Sequence, residues 1–130
     1  MTLLDAVAGP ILLIFPLVFI FLFVGIVFLE AWIISKIQKI SYKKGLRLSF
    51  YANGASLLAG IFLVGQIGDP SRIDNFLAYF AITLVIETGV LVAVTKGKEW
   101  KSVTWTSVLM NIASYVLIGA ILFTLETYWL

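Results

Sequence analysis

Two carboxylates stand alone inside long apolar runs, and each is followed by the same set of polar residues. Glu30 lies in FLEAW, and downstream of it SFYANGAS carries Ser49, Asn53, Ala55 and Ser56. Glu87 lies in VIETG, and downstream of it SVLMNIAS carries Ser107, Asn111, Ala113 and Ser114. Both copies read Glu, a gap of about two dozen residues, then Ser-x3-Asn-x-Ala-Ser. Ionisable and amide groups at membrane depth are costly, which makes each of them a functional-site candidate. Two chemistries are open to such a pair. In the structural one, the carboxyl accepts hydrogen bonds from the Asn amide and a Ser hydroxyl and fixes the register of a helix pair. In the functional one, hydrocarbon disfavours a charged carboxyl, so the group exchanges a proton or holds a cation, with Asn and Ser oxygens completing the shell.

Spacing and depth favour a meeting of these groups. Ser49, Asn53 and Ser56 stand at i, i+4 and i+7, one face of a helix, and Ser107, Asn111 and Ser114 repeat that pattern. Glu30 lies six residues before Lys36, and Asn53 lies six after Arg47. At the helical rise both sit about 9 Å from the basic end. Glu87 is nine residues before Lys96 and Asn111 is ten after Lys101, which puts both about 14–15 Å in. Within each copy the acid and the amide are level.

The elements that must carry these residues are transmembrane helices. The chain has 130 residues, of which 62% are hydrophobic and 12% charged, about half the charge of a soluble domain. Apolar stretches at roughly 10–35, 47–68, 74–95 and 102–126 each approach or pass the ~18 residues of a spanning helix. Little chain is left for a soluble catalytic domain. The expected architecture is an all-α integral membrane domain over residues 1–130: four helices in two tandem hairpins, at about 10–68 and 74–126. Both hairpins would run in the same direction, giving a parallel internal repeat with a pseudo-twofold axis along the membrane normal. Pro10 suits a helix start, and Pro16 is expected to kink the first helix. The phenylalanines of FPLVFIFLFVG surround that helix, which marks this stretch of it as peripheral and lipid-facing. Gly60, Gly65 and Gly119 offer points of close helix approach.

Charge sets the orientation. The loop SKIQKISYKKGLR carries Lys36, Lys39, Lys43, Lys44 and Arg47 with no acid, and TKGKEWKS carries Lys96, Lys98 and Lys101 against Glu99. Opposite them lie Asp5, Glu126, and Arg72 against Asp69 and Asp74. The positive-inside rule then places both basic loops in the cytoplasm and both termini outside. Trp100 and Trp105 fit the inner interfacial belt, Tyr128 and Trp129 the outer one. The five basic residues of the first loop also suit anionic lipid headgroups, at about 1 kcal/mol each near the surface. The first basic residue follows the first apolar stretch, so no signal peptide is read and Met1 is expected to start the mature protein. With no cysteine and no histidine, the chain cannot form disulfides, Cys/His zinc sites or His-ligated haem, and no metal or cofactor is expected. The few basic residues flank the spans, which explains them without nucleic acid.

The stretch GIVFLEAWIISKIQKISYKKGLRLSFYANGASLLAGI resembles the opening of the cyanobacterial filament-integrity (FraC-like) membrane proteins. Those also combine an embedded Glu, a short basic loop and a downstream Asn in a Ser/Ala-rich span. The matching residues are Glu30, Ala31, Asn53 and Ser56, and the likeness covers roughly residues 24–65. Residues 74–130 have no counterpart in it. The resemblance implies a membrane scaffold at junctions between neighbouring cells, not an enzyme.

The leading expectation is a non-enzymatic scaffold or accessory subunit of a larger assembly in a bacterial plasma or thylakoid membrane. Its partners would be membrane lipids and other membrane subunits or further copies of itself. The alternative is a small dimeric proton- or cation-coupled transporter that uses Glu30 and Glu87.

Overall fold

The computed structural model describes residues 3–68, 73–95 and 99–129, with no side-chain description at 3–15, 64, 122–123, 125–126 and 128–129. Four helices account for almost all of it: α1 Leu3–Ile37, α2 Tyr42–Ile67, α3 Ile73–Val94 and α4 Trp100–Trp129. Within them Pro16–Ile37, Tyr42–Leu63, Ile73–Val94 and Trp100–Ile121 are long and apolar enough to cross a membrane. Each of these 22-residue stretches rises about 33 Å, which matches a hydrocarbon core of ~30 Å. The readings made from Asp5, Asp69, Arg72, Lys96, Lys98, Glu126, Tyr128 and Trp129 fall outside the described residues or side chains.

The α1–α2 turn is closed by local chemistry. Lys39 takes the left-handed conformation, φ 51°, just past the end of α1, and the Ile40 N–H donates back to the Ser35 carbonyl at 3.2 Å. That is the six-to-one bond of a helix C-cap. Ser41 then caps α2: its carbonyl accepts from the N–H groups of Lys44 and Gly45, each at 3.0 Å, and its hydroxyl from the Lys44 N–H at 3.4 Å. Two caps within a few residues reverse the chain and set α2 antiparallel to α1.

The helices form a ring in chain order. α1 packs on α2 and α4, α3 packs on α2 and α4, and the diagonal pairs make no contact among the described residues. The side chain of Gln38, in the α1–α2 turn, donates to Ser102 Oγ at 3.0 Å and Thr106 Oγ1 at 2.7 Å, so the start of α4 lies at the same end as the first basic turn. The apolar run of α1 from Pro16 to Gly25 has no buried residue, and the helix turns inward only beyond it. Val27, Glu30, Ala31 and Ile34 are buried at i, i+3, i+4 and i+7, one stripe facing the centre. α1 is also continuous through both Pro10 and Pro16.

Burial is one-sided along the bundle axis. Ile34, Leu48, Ala52, Leu91, Val103 and Met110 form the apolar core, all between the carboxylates and the basic end. The tightest approach at any described glycine is there too: a Cβ on Gly45 would stand 2.6 Å from the Ala31 carbonyl oxygen. Gly60, Gly65 and Gly119 do not serve as close-approach points, because a Cβ on any of them would meet nothing within 4 Å. Outward positions such as Phe21, Phe62 and Val85 are 70% or more exposed, as suits side chains that meet lipid rather than water.

Candidate functional site

The two acids are buried on the inner faces of α1 and α3. Glu30 and Glu87 are each 1% exposed, and Asn53, Asn111, Ser49, Ser107 and Ser114 are buried around them. A helix puts Asn and the Ser four residues earlier on one side. The Asn amide bonds first to its own helix: Asn53 Nδ2 donates to the Ser49 carbonyl, and Asn111 Nδ2 to the Ser107 carbonyl, both at 3.0 Å. The same amides then reach across each hairpin. Asn53 donates to Glu30 Oε2, and Asn111 donates to Glu87 Oε2 at 2.8 Å. Ser49 Oγ adds a bond to Glu30 Oε2 at 3.1 Å.

The remaining oxygen of each carboxylate is served from the other hairpin. Ser114, on α4, donates to Glu30 Oε1 at 2.5 Å, and Ser56, on α2, donates to Glu87 Oε1 at 2.8 Å. The crossing was not legible as such in the sequence, which placed each Ser with the acid of its own hairpin. Every acid thus draws an amide from its hairpin partner and a hydroxyl from its neighbour in the ring. No buried side-chain nitrogen or oxygen among the described residues lacks a hydrogen-bond partner. That matters in hydrocarbon, where each orphaned group costs several kcal/mol.

The two halves differ at one point. Ser107 does not bond Glu87; it accepts from Thr88 Oγ1 at 2.8 Å. The residue after Glu30 is Ala31, whereas the residue after Glu87 is Thr88. The extra hydroxyl occupies Ser107, and Glu87 keeps fewer donors than Glu30.

Both carboxylates border one cavity of about 620 Å³, open along much of its side, that reaches all four helices. Its polar wall is Glu30, Asn53, Ser56, Glu87, Asn111 and Ser114. Its other walls come from the half of the bundle away from the basic turn: Phe19, Phe23 and Ile26 on α1, Leu57, Gly60 and Ile61 on α2, Tyr79 and Thr83 on α3, and Tyr115 and Ile118 on α4. Phe19 and Phe23 border this space on one side, while Phe19 stays 54% exposed and no residue of the run from Pro16 to Gly25 is buried, in keeping with a largely lipid-facing role for that run. Tyr115 is held by edge contacts to Phe76 and Phe80, at centroid distances of 5.3 and 4.8 Å, and Tyr79 donates to the Gly68 carbonyl at 3.0 Å. The core closes the cavity toward the basic end.

Sequence reasoning missed Tyr79, Thr83, Thr88, Tyr115 and the Gln38 bonds to α4. Thr88 and Tyr115 each adjoin a motif residue, and that adjacency was the available signal. Lys36, Lys39, Lys43, Lys44 and Arg47 are all exposed around the α1–α2 turn and take no part in the acidic site. Among the described residues no group of three or more His, Cys, Asp or Glu could hold a metal ion. Compared with protein-family models, curated proteins and solved structures, the chain matches none.

Proposed function

We propose that this chain is a small, non-enzymatic membrane carrier in which Glu30 and Glu87 bind protons or a cation in exchange. One observation carries the reading: both carboxyls border the same cavity, and donors from both hairpins hold each of them there. A carboxylate in a low-dielectric site must be compensated. A chamber with two of them is neutralised either by protons or by a cation that enters from the open side, and that competition is the basis of coupling. In this reading the hairpins are tandem copies related by a pseudo-twofold axis along the membrane normal. The matched motifs and the reciprocal serine bonds support the duplication. The basic turn faces the cytoplasm and both termini lie outside, in a bacterial plasma or thylakoid membrane, so the cavity opens outward. The exposed ring of Lys36, Lys39, Lys43, Lys44 and Arg47 supports that orientation and a contact with anionic lipid.

The test is flux in proteoliposomes. Glu87→Gln is expected to abolish collapse of an imposed pH gradient upon cation addition while the helix content by circular dichroism stays unchanged. Wild-type coupling in that variant overturns the reading.

A second reading, a scaffold or accessory subunit of a larger membrane assembly, is favoured by the complete hydrogen bonding of the buried polar groups. The first-hairpin resemblance to filament-integrity proteins points the same way. There Glu87→Gln is nearly silent because Gln still bonds Asn111, and Glu87→Leu weakens assembly. Purification in mild detergent separates the two readings: a stoichiometric large complex favours the scaffold, a clean monomer or homo-oligomer the carrier.

A further inference from the structure

We infer that the cavity takes an amphipathic organic cation with an aromatic body, its positive head at Glu30 and Glu87. The inference rests on the reading of those two carboxyls as a working ionic site, and it names what they bind.

The cavity's size comes first. Its ~620 Å³ falls within the 300–1,000 Å³ typical of small-molecule sites. A bare inorganic cation would occupy a small corner of it. Calcium seeks six to eight oxygen ligands and magnesium a tight octahedron, yet beyond the six polar residues at one end the walls offer mainly apolar and aromatic carbon. Charge comes next. The chamber presents two acids and no basic side chain, so it is complementary to a cation and repels an anion. A carboxylate has about four acceptor sites. Among the described residues three donors reach Glu30 and two reach Glu87, so not every acceptor site is taken. Because each acid is only 1% exposed, the ligand's head must displace part of the polar wall to reach it. The wall supplies the rest. Phe19, Phe23, Tyr79 and Tyr115 line the same space, and aromatic faces attract both a delocalised cation and a flat ring. Gly60 opens it further, since nothing stands within 4 Å of where its Cβ would be.

The probe is ethidium, titrated by fluorescence into the full chain in neutral detergent, with phenanthridine, its uncharged parent ring, as competitor. Saturable binding at one site per chain is expected, with a Kd of about 1–100 µM. Glu30→Gln and Glu87→Gln should each weaken it about tenfold or more, and Gly60→Leu, which fills the chamber, at least about fivefold. Phe62→Leu, on the outer surface, should leave it unchanged. Excess sodium, calcium or phenanthridine should not displace the dye. Absence of saturable binding overturns the inference. So does wild-type affinity in both Gln variants, or displacement by phenanthridine, which would mark a merely apolar chamber.

A second readout separates this from the carrier reading. The carboxyl stretch of Glu30 and Glu87 in infrared spectra reports their proton exchange directly. Exchange without ethidium binding rejects the organic cation and leaves the carrier reading standing. Neither exchange nor binding rejects both.

Discussion

Each acid in this protein depends on a hydroxyl from the hairpin it does not belong to. The sequence made half of that visible: Glu and Asn at equal height, with Ser on the same helix face. The crossing was hidden because a heptad-like spacing defines a face, not the neighbour it meets. Asn53 and Ser56 are three residues apart, about 60° around the helix. That is enough for α2 to offer its amide to α1 and its hydroxyl to α3. The energetic weights of the two bonds differ. Hydrogen bonds between membrane helices average about 0.6 kcal/mol and reach ~1.7. Ser56→Ala and Ser114→Ala are therefore expected to cost about 0.5–1 kcal/mol each, since each acid keeps its amide donor. Asn111→Leu removes the amide from Glu87, which has fewer donors to begin with, and leaves a buried acceptor unmet at about 1–3 kcal/mol. Unfolding titrations in mixed micelles read these directly. A larger loss for Ser56→Ala than for Asn111→Leu would contradict the assignment of roles.

Hydropathy alone located the four helices to within a few residues at most ends, because a predominantly apolar run of this length has no other stable form in lipid. Their contacts were less legible. Glycines in the apolar runs looked like approach points, but the close contact belongs to Gly45, among the basic residues of the turn. Charge at Lys43, Lys44 and Arg47 masked it, since small-residue signals are sought in apolar sequence. The position explains the choice: Ser41 starts α2 against the end of α1, so the two backbones are nearest one turn later. Gly45→Ala places a methyl 2.6 Å from the Ala31 carbonyl oxygen, a backbone atom that cannot swing away. Overpacking of this kind costs about 1–3 kcal/mol, against a helix-propensity gain of about 1. A net loss is expected for Gly45→Ala, and no loss or a small gain for Gly119→Ala, which meets open space. Thermal melts followed by tryptophan fluorescence decide it; equal melting temperatures for the two variants would refute the close contact.

Over the whole molecule the bundle is asymmetric along its axis. One half is a packed core tied by Gln38 to α4, and the other half surrounds a chamber that ends at two acids. Composition pointed the other way, because the open half is the more apolar in sequence and only side-chain size and direction separate a filled centre from an open one. What composition did carry is the polarity of charge, and it bears on which side of the membrane the chamber faces. Five basic residues are exposed at the α1–α2 turn with no acid among them, and translocating short basic loops is disfavoured. The chain has no cysteine, so any introduced thiol is a unique reporter. Gln66→Cys, at the exposed far end of α2, is expected to react with an impermeant maleimide in intact host cells. Lys44→Cys should react only after the membrane is opened. Replacing Lys39, Lys43, Lys44 and Arg47 together by Gln should remove most of the bias and give a mixed population in which part of the Gln66→Cys signal is lost. Labelling of Lys44→Cys in intact cells, with Gln66→Cys protected, would invert the proposed orientation and turn the chamber toward the cytoplasm.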